Sequence, residues 1–152
     1  MPIKYLNCQE AACTTNTTNS KITKLEIYCV CDSSNHCNHF NINAFPNIKC
    51  LMVYGPIKLH GLVECQKLTH ARLYNTGVTY IESPSLQVLE IIEKVNVNDA
   101  TIDLMTPKLT QLGVMRNNCN TVTINLLTTS TAKVVVVPDA SMAELICIGS
   151  AA

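Results

Sequence analysis

The sequence predicts a mainly β protein, a parallel-stranded solenoid occupying one domain over residues 1–152, and three observations carry that reading. A frame of apolar, two variable, apolar, one variable, apolar residues recurs along the chain. Its starts at positions 3, 22, 48, 68, 86 and 109 are separated by 19, 26, 20, 18 and 23 residues, steps that bracket the roughly 20 to 29 residues of one coil in a stacked repeat. Proline precedes three of the frames, in Pro46-Asn47-Ile48, Pro84-Ser85-Leu86 and Pro107-Lys108-Leu109, and stops whatever segment came before.

The frames run in order through Ile3, Leu6, Cys8; Ile22, Leu25, Ile27; Ile48, Leu51, Val53; Leu68, Ala71, Leu73; Leu86, Leu89, Ile91; and Leu109, Leu112, Val114. The last two members of each are two residues apart, so they point to one side of a strand, while the first anchors the turn leading in. Thr131, Val134, Val136 and Met142, Leu145, Cys147 are weaker echoes, only 11 residues apart, and do not both head full repeats. One strand cannot bury its apolar side alone; stacked coils form a parallel sheet about 4.8 Å apart over a shared core. The return segments carry inward residues such as Val78, Ile81, Val97, Ile102, Leu104, Val122, Ile124 and Leu127. Threonine, asparagine and β-branched residues dominate them, which predicts extended or single-turn structure rather than helices.

Composition narrows the function classes. Hydrophobic residues make up 47% of the chain, enough to fill a core, and Lys plus Arg equals Asp plus Glu at 11 each. With only 14% charged residues and no basic block, electrostatic capture of nucleic acid is not expected. No apolar run approaches about 18 residues, and Met1-Pro2-Ile3-Lys4 does not read as a signal peptide. The expected address is cytoplasmic, without membrane insertion. Nine cysteines, an odd and scattered set, read in a reducing compartment as small buried hydrophobes.

Lys67-Leu68-Thr69-His70-Ala71-Arg72-Leu73, Ser85-Leu86-Gln87-Val88-Leu89-Glu90-Ile91 and Lys108-Leu109-Thr110-Gln111-Leu112-Gly113-Val114 are the best repeats. On them the chain resembles the leucine-rich-repeat family over about residues 3 to 148, and more loosely the irregular asparagine- and cysteine-containing repeat proteins of protists. The resemblance implies a solenoid, α/β by the family's convention and mainly β here, that binds a protein partner without catalysis or cofactor. One departure concerns the Asn or Cys that family members carry eight residues after the first Leu. That place holds Val30, Pro56, Thr76, Lys94 and Asn117, so the bends are expected to be built differently.

The register sets outward residues of adjacent coils side by side. One column reads Gln9, Tyr28, Tyr54, Tyr74, Ile92, Met115, Val137, and its neighbour Asn7, Glu26, Met52, Arg72, Glu90, Gly113, Val135. Tyrosine and arginine are favoured binding anchors, so Glu26, Tyr28, Met52, Tyr54, Arg72, Tyr74, Glu90 and Ile92 form the candidate partner-binding face. The competing reading is that the tyrosines only stabilise the sheet. Toward the C-terminus Val135, Val137, Ile146 and Ile148 make the face apolar, a place for a partner, a second copy or a further coil.

Three clusters bear chemistry. Cys29, Cys31, His36, Cys37 and His39 supply zinc-type ligands within 11 residues, against the plainer reading of a polar loop with partly buried thiols. His60 and His70 flank Cys65, a residue the register expects to be packed. Glu90, Glu93, Asp99 and Asp103 offer carboxylates to an alternative function, a parallel β-helix that cleaves polysaccharide, although Gly113 stands beside Glu90 in the next coil.

Overall fold

The computed structural model describes residues 3–7, 20–29, 39–93, 99–116, 121–128, 133–136 and 144–148. Alternating residues fold into a front sheet of seven parallel strands: β1 (Ile3–Asn7), β2 (Lys24–Tyr28), β4 (Cys50–Tyr54), β6 (His70–Tyr74), β8 (Val88–Glu93), β10 (Gln111–Arg116) and β12 (Lys133–Val136), in that spatial order. The inward pairs Leu25 and Ile27, Leu51 and Val53, Ala71 and Leu73, Leu89 and Ile91, and Leu112 and Val114 are all buried. So are the anchors Ile48, Leu68, Leu86 and Leu109. Each large apolar side chain contributes roughly 1.5–3 kcal/mol by leaving water.

The first frame is corrected by two residues. In β1, Lys4 stands beside Leu25 and Leu6 beside Ile27, so Tyr5 and Asn7, rather than Asn7 and Gln9, face Glu26 and Tyr28. A slip of two keeps every side chain on its own face, and hydrophobic pattern alone does not distinguish the two registers. Paired positions Ile3, Lys24, Cys50, His70, Val88, Gln111 and Lys133 are thus 21, 26, 20, 18, 23 and 22 residues apart.

Hydrogen bonds recur between the coils from β2 to β10. A turn closes onto the anchor residue, with Ile48 N donating to Phe45 O, Leu68 N to Cys65 O and Leu109 N to Thr106 O. One carbonyl ahead of each strand then accepts two amides of the next coil: Thr23 O from Lys49 and Cys50, Lys49 O from Thr69 and His70, Thr69 O from Gln87 and Val88, Gln87 O from Thr110 and Gln111. Beyond the strands, Gly55 N donates to Tyr74 O and Asn75 N to Ile92 O. Gly55 at φ +104° and Asn75 at φ +53° turn the corner with left-handed backbone. The bend is therefore made one residue before Pro56 and Thr76, and needs no asparagine at the family's place.

The return side is more regular than expected. Strands β7 (Tyr80–Glu82), β9 (Asp99–Met105), β11 (Thr121–Leu126) and β13 (Glu144–Ile148) form a second parallel sheet. Strands β3 (His39–Asn41) and β5 (Lys58–His60) pair separately, and 3-10 turns cover Ile42–Ala44 and Leu62–Glu64. Ile81, Ile102, Leu104 and Ile124 close the core from this side.

The two C-terminal echoes are both strands, in different sheets. Val134 and Val136 pair with Leu112 and Val114 in front, whereas Leu145 and Cys147 pair with Val122 and Ile124 behind. A spacing of 11 residues is half a coil, which resolves the conflict. It also corrects the apolar C-terminal stripe: Ile146 and Ile148 belong to the return sheet and do not continue the front face from Val135. Val137 lies outside the described residues.

Candidate interaction surface

Pairing of the front strands builds the expected columns over their described length. Tyr28, Tyr54, Tyr74, Ile92 and Met115 are successive neighbours, and so are Glu26, Met52, Arg72, Glu90 and Gly113. The tyrosine rings form a ladder. Tyr28 and Tyr54 stack with centroids 4.7 Å apart at 5°, and Tyr54 and Tyr74 tilt to 38° at 5.7 Å. Both separations lie in the favourable range for aromatic pairs. Tyr28 is 36% exposed and the other two are half-buried, so the ladder has an accessible edge.

The charged column is tied down. Glu26 is buried, accepting the Tyr28 hydroxyl at 2.7 Å and lying 3.2 Å from Lys24 Nζ. It holds Tyr28 and Lys24 in place more than it offers a contact of its own. Arg72 donates from Nε to Glu90 directly across β6 and β8. That hydrogen bond chiefly raises the Arg72 guanidinium above its ordinary value, partial burial opposes it, and the Glu90 charge and Tyr54 add to it.

Reading the strands for two columns missed a third. Lys24, Cys50, His70 and Val88 stand one position earlier on the same face, where the period of two already placed them. With Met52, Arg72 and Glu90 they line a shallow depression of about 280 Å³. The face thus offers an aromatic ridge beside a depression with an ion pair on its wall, an arrangement that suits a partner's apolar side chain.

The other clusters come apart. Of the zinc-type set, Cys31, His36 and Cys37 lie outside the described residues, and His39 Nδ1 meets His60 Nε2 at 2.6 Å. Among the described residues no three His, Cys, Asp or Glu side chains are grouped for a metal. Cys65 is buried in a column of turn residues with Phe45, Ser83 and Thr106, its Sγ directed at the carbonyls of Gly61 (3.5 Å) and Ile42 (3.9 Å). Burial first, then the charge of Glu64, pushes its thiol up to about 11. His60 meets His39, and His70 is on the front face with Thr69 Oγ1 at 2.9 Å, so the two histidines that flank Cys65 in sequence are engaged elsewhere.

The carboxylates are spread over three places. Glu90 pairs with Arg72 in front; Glu93 is buried at the corner, accepting Gly77 N at 3.0 Å; Asp103 accepts Asn125 Nδ2 at 2.7 Å on the return sheet. The side chain of Asp99 is outside the described residues.

No family model, curated protein or solved structure matches this chain. Among the described residues no helix is long and apolar enough to cross a membrane.

Proposed function

We propose that the chain is a non-catalytic interaction module of leucine-rich-repeat type that binds a protein partner through its front sheet. The observation that carries this reading is the accessible tyrosine ladder Tyr28, Tyr54, Tyr74, flanked by the Arg72–Glu90 pair and the depression beside it. Tyrosine and arginine bury much area while offering a polar group, and a few such anchors carry most of the affinity of an interface. A reducing, cytoplasmic setting is part of the proposal, resting on the odd, scattered set of nine cysteines.

The test is capture of a partner by wild type beside Tyr54→Ala, Tyr74→Ala, followed by titration with that partner purified. Loss of two anchors is expected to weaken binding by roughly 30-fold or more, since each contributes about 1 kcal/mol or above, with the variant still folded by circular dichroism. Equal binding by the folded double mutant overturns the proposed face. Polysaccharide cleavage is a second reading, favoured by the second parallel sheet. It requires paired acids on one face, whereas Gly113 stands opposite Glu90 and the described carboxylates are dispersed.

A further inference from the structure

The 18-residue step from His70 to Val88 is the shortest between paired front strands. The residues it lacks are lost from the return side. The turns Ile42–Ala44 and Leu62–Glu64, strand β7, and Asp103–Met105 of β9 all lie eight to six residues before the next front strand. Just ahead of that place, other coils form β3, β5 or the start of β9. In the short coil the same place is Thr76–Val78, which forms no strand. The return sheet is therefore broken between β5 and β7, and the break encloses a cavity of about 440 Å³.

The cavity has an apolar wall and a basic rim. Leu59, Leu62 and Val78 are only partly buried against the core, and all three line it, with the core residue Leu73 behind them. Among the described residues, Lys58 and His60 are its titratable lining apart from Tyr80, whose hydroxyl donates to Glu82 at 3.0 Å, and no carboxylate itself lines it. Thr76 Oγ1, also in the lining, is shielded from solvent and has no hydrogen-bond partner among the described residues. A mostly apolar hollow of this size with a few convergent polar groups is the usual form of a small-molecule site.

We propose that this cleft binds a small carboxylate with an apolar body. The body lies against Leu59, Leu62 and Val78, and the anionic head meets Lys58 at the rim. The site is on the return side, separate from the front face, and does not depend on the reading of that face.

The test maps amide chemical shifts of the full chain titrated to millimolar decanoate and 2-naphthoate, with decanol as the uncharged match. Saturable shifts are expected in residues 57–62 and 76–81. Decanoate is expected to bind about tenfold tighter than decanol, the equivalent of one modest charge contact. Lys58→Ala, at an exposed side chain, removes that preference, and Val78→Trp fills the cleft and abolishes binding of both. Absence of saturable shifts with either carboxylate overturns the proposal. Equal affinity for decanoate and decanol, or an unchanged preference in Lys58→Ala, also overturns it. Should Val78→Trp fail to fold, Lys58→Ala still decides.

Discussion

Gly55 and Gly77 are both left-handed, yet alanine at the two positions is expected to have different costs. At Gly55, φ is +104° and an added Cβ would lie 2.5 Å from Cys29 Cβ, with Cys29 O at 3.4 Å and Cα at 3.5 Å. Neither Cβ rotates away, because both are fixed to backbone. The corner must open, and it is held by Cys29 N donating to Tyr54 O at 2.7 Å and Gly55 N to Tyr74 O at 2.8 Å. Left-handed backbone costs an L-residue about 1–2 kcal/mol, and weakening one or two hydrogen bonds adds about 1 kcal/mol each. Gly55→Ala should therefore destabilise by roughly 2–4 kcal/mol. At Gly77 φ is +65° and nothing lies within 4 Å of the added Cβ, leaving only the backbone part, about 1 kcal/mol. Urea unfolding followed by far-ultraviolet circular dichroism measures both. The thermal midpoints of the two variants should differ by about 5 °C in a chain of this length. Equal losses would refute the reasoning, because they would mean that the Cys29 contact does not constrain the corner.

Two further outcomes follow from the site residues. The Arg72 and Glu90 side chains are 44% and 38% exposed, so a double-mutant cycle with Arg72→Met and Glu90→Gln should give a coupling below about 1 kcal/mol. It should shrink further in high salt, and a coupling that salt leaves intact would contradict the exposure seen here. Cys65, with its thiol raised from 9.0 to about 11, should have a thiolate fraction at pH 8 about 100-fold below that of an unperturbed cysteine. Slow alkylation of the native Cys65 peptide, read by mass spectrometry, checks this. Because the folded value is the higher one, its contribution to stability is complete below pH 9 and is lost as pH rises toward 11. Wild type should then lose stability relative to Cys65→Ala across that window; parallel pH curves would sink the assignment.

The front sheet could be read in advance because its signal is local. In Leu51, Val53 and in Leu89, Ile91 one buried face enforces a period of two, and the turn ahead fixes the phase. Tyr28, Tyr54 and Tyr74 fell into one column for the same reason. The β1 register differs from the Ile3, Leu6, Cys8 frame by two residues, a shift that preserves the alternation of faces and so is not decided by the hydrophobic pattern. The return sheet is harder to read because its strands range from three to seven residues and share no recurring frame, so Tyr80–Glu82 and Thr121–Leu126 look like irregular connections until the neighbouring coils pair with them. The partner of His39 was hidden for another reason: His60 is 21 residues away and meets it only through the pairing of β3 with β5.

These successes and failures have a common cause in how a coil of variable length is accommodated. The front strands keep one register through steps from 18 to 26 residues, so the difference is absorbed behind the sheet. The turn that precedes β4, β6, β8 and β10 is also kept, since Phe45, Cys65, Ser83 and Thr106 are all buried three residues before an anchor. Only the segment between the corner and that turn is left to vary. A short coil omits a strand there, and the omission at Thr76–Val78 leaves Leu59, Leu62 and Val78 only partly buried around the cleft. Between β4 and β8, where every residue is described, irregularity is thus confined to that segment. Inserting two residues after Val78 should lengthen that segment toward the neighbouring coil and close the cleft, while leaving the tyrosine ladder in register.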